Sequence, residues 1–164
     1  MAHLEGRVAV ITGGSGALGL GVANELQDLG AHVILLGQSK EKLAKASKSI
    51  NSDFGSNSFY SCDVSDENSL IQTSKKIFSE HAKVDILVTC AAAPATGGKF
   101  EDSNLEEWRS LFAIDLDGVY LACRIFGKSM INQSYGRIVN FTSFHNVATY
   151  TYRTVYNSVK SAVE

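Results

Sequence analysis

Short, near-continuous apolar runs rich in β-branched residues alternate along the chain with longer amphipathic stretches. The runs are Val8–Thr12, His32–Leu36, Ser58–Cys62, Asp85–Cys90 and Arg137–Thr142. This alternation predicts βαβ units and a parallel sheet, and runs without an in-out period fit interior strands covered by helices on both faces. Between the first two, Leu18, Val22, Leu26 and Leu29 recur at intervals of four, four and three, one apolar stripe on a helix that stops at Gly30. A second helix is expected over Lys40–Asn51 with Ser39 as N-cap, and a third, opening at Ser65 or Asp66, has Leu70, Ser74, Ile77 and Phe78 as its narrow apolar face. Ser103 and Glu106 have the spacing of a capping box, beyond which Trp108, Leu111, Phe112, Leu116 and Val119 trace the buried side of a long helix, with Trp108 in the core. A last helix begins near Thr154. The expected fold class is α/β, a doubly wound parallel sheet of about five strands in a single domain over residues 1–164.

One residue breaks the pattern. Asp115 falls four after Leu111 and four before Val119, so a carboxylate stands where the stripe asks for an apolar group and must find partners or a proton.

Composition narrows the functional classes. The 164 residues carry 15 Lys and Arg against 17 Asp and Glu, a formal net charge of −2, so no basic field exists to hold nucleic acid or an anionic membrane. Cys62, Cys90 and Cys123 are odd in number and widely spaced. They match neither a disulfide framework nor a zinc pattern and read as buried thiols with no metal role. The apolar run after the charged N-terminus, Val8–Ile11, is too short for a signal-peptide core or a membrane span, which points to the cytoplasm.

The first strand leads directly into Thr12-Gly13-Gly14-Ser15-Gly16-Ala17-Leu18-Gly19 and then into the first helix. Glycines let such a turn approach a pyrophosphate, and the amides and positive dipole end of the helix favour its charge. That makes Gly13, Ser15, Gly16, Leu18 and Gly19 candidate cofactor contacts in a Rossmann-like sheet; the alternative is a tight βα turn with no ligand. An ATPase phosphate loop would need Lys after Gly19, where Leu20 stands, and a hydrolase nucleophile elbow would need Gly at Ala17. At the end of the second strand an acid would bind the ribose of NAD, whereas the chain reads Gly37-Gln38-Ser39, with Lys40 and Lys42 following. Missing repulsion at Gln38 tilts the choice toward NADP over NAD, although the lysines equally fit a solvated helix start.

Ser143 closes the fifth strand, at the carboxyl edge where open α/β sheets bind ligands. Tyr156 and Lys160, four apart, share a helix face. An ammonium beside a phenol favours the phenolate and makes tyrosine a usable acid/base, while Ser143 could donate to a substrate oxygen. With these residues and the glycine turn together, the chain resembles the short-chain dehydrogenase/reductase family over essentially its whole length. The resemblance implies NAD(P)(H)-dependent hydride transfer between a nicotinamide cofactor and an alcohol or carbonyl. It makes Ser143, Tyr156 and Lys160 the catalytic serine, tyrosine and lysine, with Tyr156 and Lys160 also meeting the cofactor, and Asp63-Val64 the adenine-side pair, with Ala91 on the cofactor path. Asp115 stands where the family places an Asn in a proton relay, so it joins the catalytic candidates. Cys90-Ala91-Ala92-Ala93 replaces the usual Asn-Asn-Ala-Gly, removing an amide that braces the sheet.

Three further expectations follow. Thr149–Thr154 is rich in hydroxyls with one guanidinium, Arg153, which suits a polar small-molecule substrate such as a sugar acid or polyol, or equally a solvated loop; His145 reads as a loop histidine lining the pocket. Family members continue beyond the position of Glu164, so the C-terminal part of the fold is expected to be missing, leaving an open apolar edge at Arg137–Thr142 and a tendency to homo-oligomerise. A second reading is a truncated, catalytically silent member that binds nucleotide or a partner chain.

Overall fold

The computed structural model describes residues 3–50, 53–95 and 97–164. Five parallel strands, β1 (Val8–Thr12), β2 (His32–Gly37), β3 (Ser56–Ser61), β4 (Ile86–Thr89) and β5 (Arg137–Asn140), lie in the order β3-β2-β1-β4-β5. Among the described residues five helices join them, α1 (Ala17–Asp28), α2 (Lys40–Ser49), α3 (Glu67–His81), α4 (Leu105–Phe112) and α5 (Gly118–Asn132), and α6 (Thr154–Val163) follows β5. The expected doubly wound sheet is therefore present. Alternate residues of β1 feed opposite layers. Val8 and Val10 join Leu70, Ile77, Leu121 and Phe126 of α3 and α5, while Ala9 and Ile11 join Ala23, Leu43 and Ala46 of α1 and α2. No helix among the described residues is long and apolar enough to cross a membrane.

Several boundaries and faces depart from the sequence pattern. β3 starts two residues early, because Ser56 and Asn57 pair with His32 and Val33 and polar residues leave no hydrophobic trace; Cys62 lies beyond it. β4 and β5 are shorter than their apolar runs, ending at Thr89 and Asn140. β3 and β5 are edge strands here, and every residue of β5 is exposed, so the interior reading fails for β3, while the exposed β5 agrees with the open edge expected at Arg137–Thr142. On α1 the buried residues are Gly19, Ala23 and Gln27, whereas Leu18 and Leu29 are exposed. The small residues set the helix close to the sheet and turn the leucine stripe partly outward. α1 does stop as expected. Gly30, with φ of +94°, donates to Gln27 O while Ala31 donates to Leu26 O, a Schellman closure that needs a left-handed residue. α2 ends at Ser49, and Asn51 lies outside the described residues. Asp66 caps α3. The cap of α4 is Asn104, whose side chain accepts from Glu107 N, while Ser103 Oγ donates to Phe100 O; the N-cap is thus displaced by one residue from the expected Ser103. Trp108 is 36% exposed and stacked on Phe112 rather than in the core. The long helix is interrupted by a π turn at Ala113–Asp117, separating α4 from α5.

At the amino edge of the sheet, Asp85 is 1% exposed. Its carboxylate accepts from Val8 N at 2.9 Å and Arg7 Nη1 at 2.7 Å and lies 3.2 Å from Lys83 Nζ. Burial pushes this carboxyl up, but the Val8 N–H, Arg7 and Lys83 outweigh it and hold it below the ordinary carboxylate range. A carboxyl lowered in the folded state contributes stability above its unfolded value of about 4, lost as pH falls through the folded value. Asp85→Ala is expected to cost about 2 kcal/mol at pH 7, the loss of charge-assisted bonds to a buried amide. Urea unfolding across pH should show the gap to the parent shrinking below about pH 4.

Candidate active site

Strand order reverses between β1 and β4, and open α/β sheets form a crevice at such a point. A cleft of about 520 Å³ lies there, lined by the β1–α1 turn, the end of β2 and the segment after β4. Gly13 has φ of +65°, and a Cβ on it would sit 2.7 Å from the Ala91 backbone and Cys90 O, so only glycine permits this contact between turn and neighbouring loop. Gly16, the N-cap of α1, offers no side chain to its first-turn amides, and that turn holds no acid. Ser15, Gly16, Leu18 and Gly19 all line the cleft. Unclaimed amides beneath a cleft fit the pyrophosphate of a dinucleotide.

The remaining candidates divide. Gln38, Val64 and Ala91 line the cleft, and so does Lys42; Lys40 and Asp63 are not among its lining residues. Asp63 accepts from Ser65 Oγ at 2.6 Å and Ser65 N at 2.9 Å, bonds that hold its carboxyl below the ordinary range against the effect of burial. Sequence reasoning missed Ala93, Pro94 and Ile114 in the wall, and their only signal is proximity to a strand end and to Asp115. Thr12, the first residue of the glycine turn, ties that turn to the same loop, its Oγ1 accepting from Ala91 N at 3.3 Å.

The second constellation is built on α6. Val155 and Val159 pack with Leu111 and Ala93, which turns Tyr156 and Lys160 onto the adjoining face. Lys160 is 6% exposed and Asp115 fully buried. Lys160 Nζ lies 2.9 Å from Asp115 Oδ2, an ion pair outside good hydrogen-bond alignment, and Asp115 Oδ1 accepts from Ala93 N at 2.7 Å. The misplaced carboxylate thus finds a cation and an amide, and it braces the very loop that lacks the expected Asn. Lys160 Nζ is 5.8 Å from the Tyr156 ring centre, so its nearest ionic partner is Asp115. Burial pushes the Cys90 thiol up to about 11 despite the opposing Lys160 charge, leaving a neutral thiol in the cleft. Cys62 is buried, whereas Cys90 and Cys123 are half-buried; all three are free.

Ser143 caps a short turn at Phe144–Asn146 by accepting from His145 N at 3.2 Å. Its hydroxyl proton stays available for another acceptor. Tyr156, His145, Tyr150 and Arg153 line a second cavity of about 390 Å³, so His145 is a pocket residue as expected. Arg153 is partly committed elsewhere, its Nη1 donating to Ala95 O at 2.9 Å.

A family model described as short chain dehydrogenase matches residues 7–164. An NADP-dependent (R)-specific alcohol dehydrogenase of Lentilactobacillus kefiri is 33% identical over 167 residues, covering 98% of this chain and 64% of that protein. A D-threitol dehydrogenase of Mycolicibacterium smegmatis is 31% identical over 145 residues, 86% of this chain and 54% of that protein. Among solved structures, an NAD+-bound xylitol dehydrogenase superposes with a TM-score of 0.94 at 28% identity, over 98% of this chain and 62% of its own. The chain therefore spans between half and two thirds of the length of these proteins.

Removing Asp115 would strand a buried ammonium and a buried amide. Asp115→Ala is expected to destabilise the fold by about 3 kcal/mol. Asp115→Asn, which keeps an acceptor for Ala93 N, should cost clearly less, and urea unfolding of both variants checks the order.

Proposed function

Because the chain belongs to the short-chain dehydrogenase family, we propose that the protein carrying it is an NAD(P)(H)-dependent oxidoreductase that interconverts an alcohol and a carbonyl, with polyols as substrate class. Residues 1–164 are its dinucleotide-binding domain, and Gly13, Ser15, Gly16, Leu18, Gly19, Gln38, Asp63, Val64 and Ala91 are its cofactor contacts. The observation that carries this reading is the position of Tyr156. It lines one cavity and packs on the cluster containing Ala93, a wall residue of the dinucleotide cleft.

When bound, the nicotinamide supplies or accepts the hydride. Tyr156 exchanges a proton with the substrate oxygen, and Ser143, its own oxygen already accepting from His145 N, donates its hydroxyl proton to that same oxygen and stabilises charge there. Lys160 holds the nicotinamide ribose. Asp115 acts through Lys160 as a positioning residue. The names of the threitol and alcohol dehydrogenases support the substrate class. Free thiols suit a reducing cytoplasm.

The end of β2 bears no carboxylate, and Gln38 and Lys42 line the cleft beside it, which supports NADP(H) over NAD(H). Fluorescence titration should find NADPH binding about tenfold more tightly than NADH, with Lys42→Ala narrowing the gap; tighter NADH binding would reverse the assignment. Tyr156→Phe should reduce carbonyl reduction below about a tenth of the parent while dinucleotide affinity stays near parental, because only the proton donor is lost.

A further inference from the structure

The second cavity holds a hydrogen-bond chain that the reaction itself does not use. Asn157 Nδ2 donates to Tyr150 O at 3.2 Å. A backbone carbonyl can only accept, so the amide nitrogen must face it, and the amide oxygen is the atom that lies 2.9 Å from His145 Nδ1. An amide oxygen can likewise only accept, which puts the imidazole proton on Nδ1 and leaves Nε2 of the neutral ring with a bare lone pair. The ring is further held by an edge contact to Tyr156, with centres 5.3 Å apart, and by Tyr150 at 5.5 Å. Its own backbone N–H is tied to Ser143 Oγ.

Around this cavity Arg153 offers only donors and the two tyrosine hydroxyls can act either way. Nε2 is the one pure acceptor among the four lining side chains. We propose that His145 is a substrate-binding residue: its Nε2, in a tautomer set by Asn157, accepts a hydrogen bond from a second hydroxyl on the carbon next to the reacting one. The His145 and Tyr156 rings meet edge to face on the wall of one cavity, so a substrate oxygen held at Tyr156 and a second one held at His145 can belong to one small molecule. A carboxylate has no proton to give Nε2, so the acceptor selects a hydroxyl over a carboxylate on the carbon next to the reacting one. A plain alcohol forgoes the hydrogen bond to Nε2 and is discriminated against. Asn157 is a positioning residue.

This inference rests on the dehydrogenase reading, and the test separates the two. In the full chain, kcat/KM is measured for butane-2,3-diol and butan-2-ol in the parent and in His145→Phe, which keeps a ring edge against Tyr156. The diol-to-monoalcohol ratio should fall about tenfold, the worth of one hydrogen bond; an unchanged ratio overturns the proposal. Imidazole ¹⁵N spectra of the parent at pH 8 with NADPH present give a readout independent of turnover. The expected result is an Nδ1–H tautomer whose Nε2 resonance moves with butane-2,3-diol and not with butan-2-ol, and Asn157→Leu should release the tautomer. An Nε2–H tautomer in the parent, or an Nε2 signal that ignores the diol, overturns the proposal. A parent that turns over neither alcohol overturns the dehydrogenase reading, and the spectra then decide the role of His145.

Discussion

The ion pair between Lys160 and Asp115 joins three segments that are distant in sequence. Lys160 belongs to α6, Asp115 to the π turn between α4 and α5, and the second oxygen of Asp115 holds the amide of Ala93 in the loop after β4. Apolar contacts among Leu111, Val155 and Val159 also bring α6 to α4, but such packing is tolerant of small slides. A buried charge is not, because any slip that parts the ions leaves an ammonium in a medium that cannot solvate it. The pair therefore fixes the register of α6. With it come the positions of Tyr156 and of the loop wall that faces the dinucleotide cleft.

A complementary constraint acts on the other side of the cleft. Gly13 touches the Ala91 backbone so closely that no Cβ fits between them, and Gly19 meets Gly13 O in the same way. The glycine turn and the loop after β4 thus behave as one piece, stitched further by the Ala91 N bond to Thr12 Oγ1. Ala93 then passes the constraint to Asp115. Small residues and backbone groups, rather than long side chains, carry the geometry from one half of the site to the other.

That division explains what could be read from the sequence. Apolar runs announced β1, β2 and β4 because burial on both faces leaves a strong signal, and the Tyr156–Lys160 spacing and the intruding Asp115 stood out against helical periodicity. Strand ends did not, since Ser56 and Asn57 extend β3 through ladder bonds to β2 that need no apolar side chain. The buried face of α1 was also hidden. Gly19, Ala23 and Gln27 form it, and a count of leucines points elsewhere. The His145–Asn157 bond was out of reach for a different reason: it spans twelve residues through an irregular segment, so no period relates its partners.

The uncapped start of α1 has a consequence for the lifetime of the chain. Its first-turn amides have no side chain at Gly16 to satisfy them and no acid nearby to offset the helix dipole, so the turn is locally unfavourable until an anion arrives. A ligand that meets this need binds the folded chain and not the unfolded one, raising the free energy of unfolding by RT ln(1 + [L]/Kd). The cellular pool of that ligand would then act as a folding aid. Protein made when the pool is depleted would spend more time open and be cleared sooner by proteases.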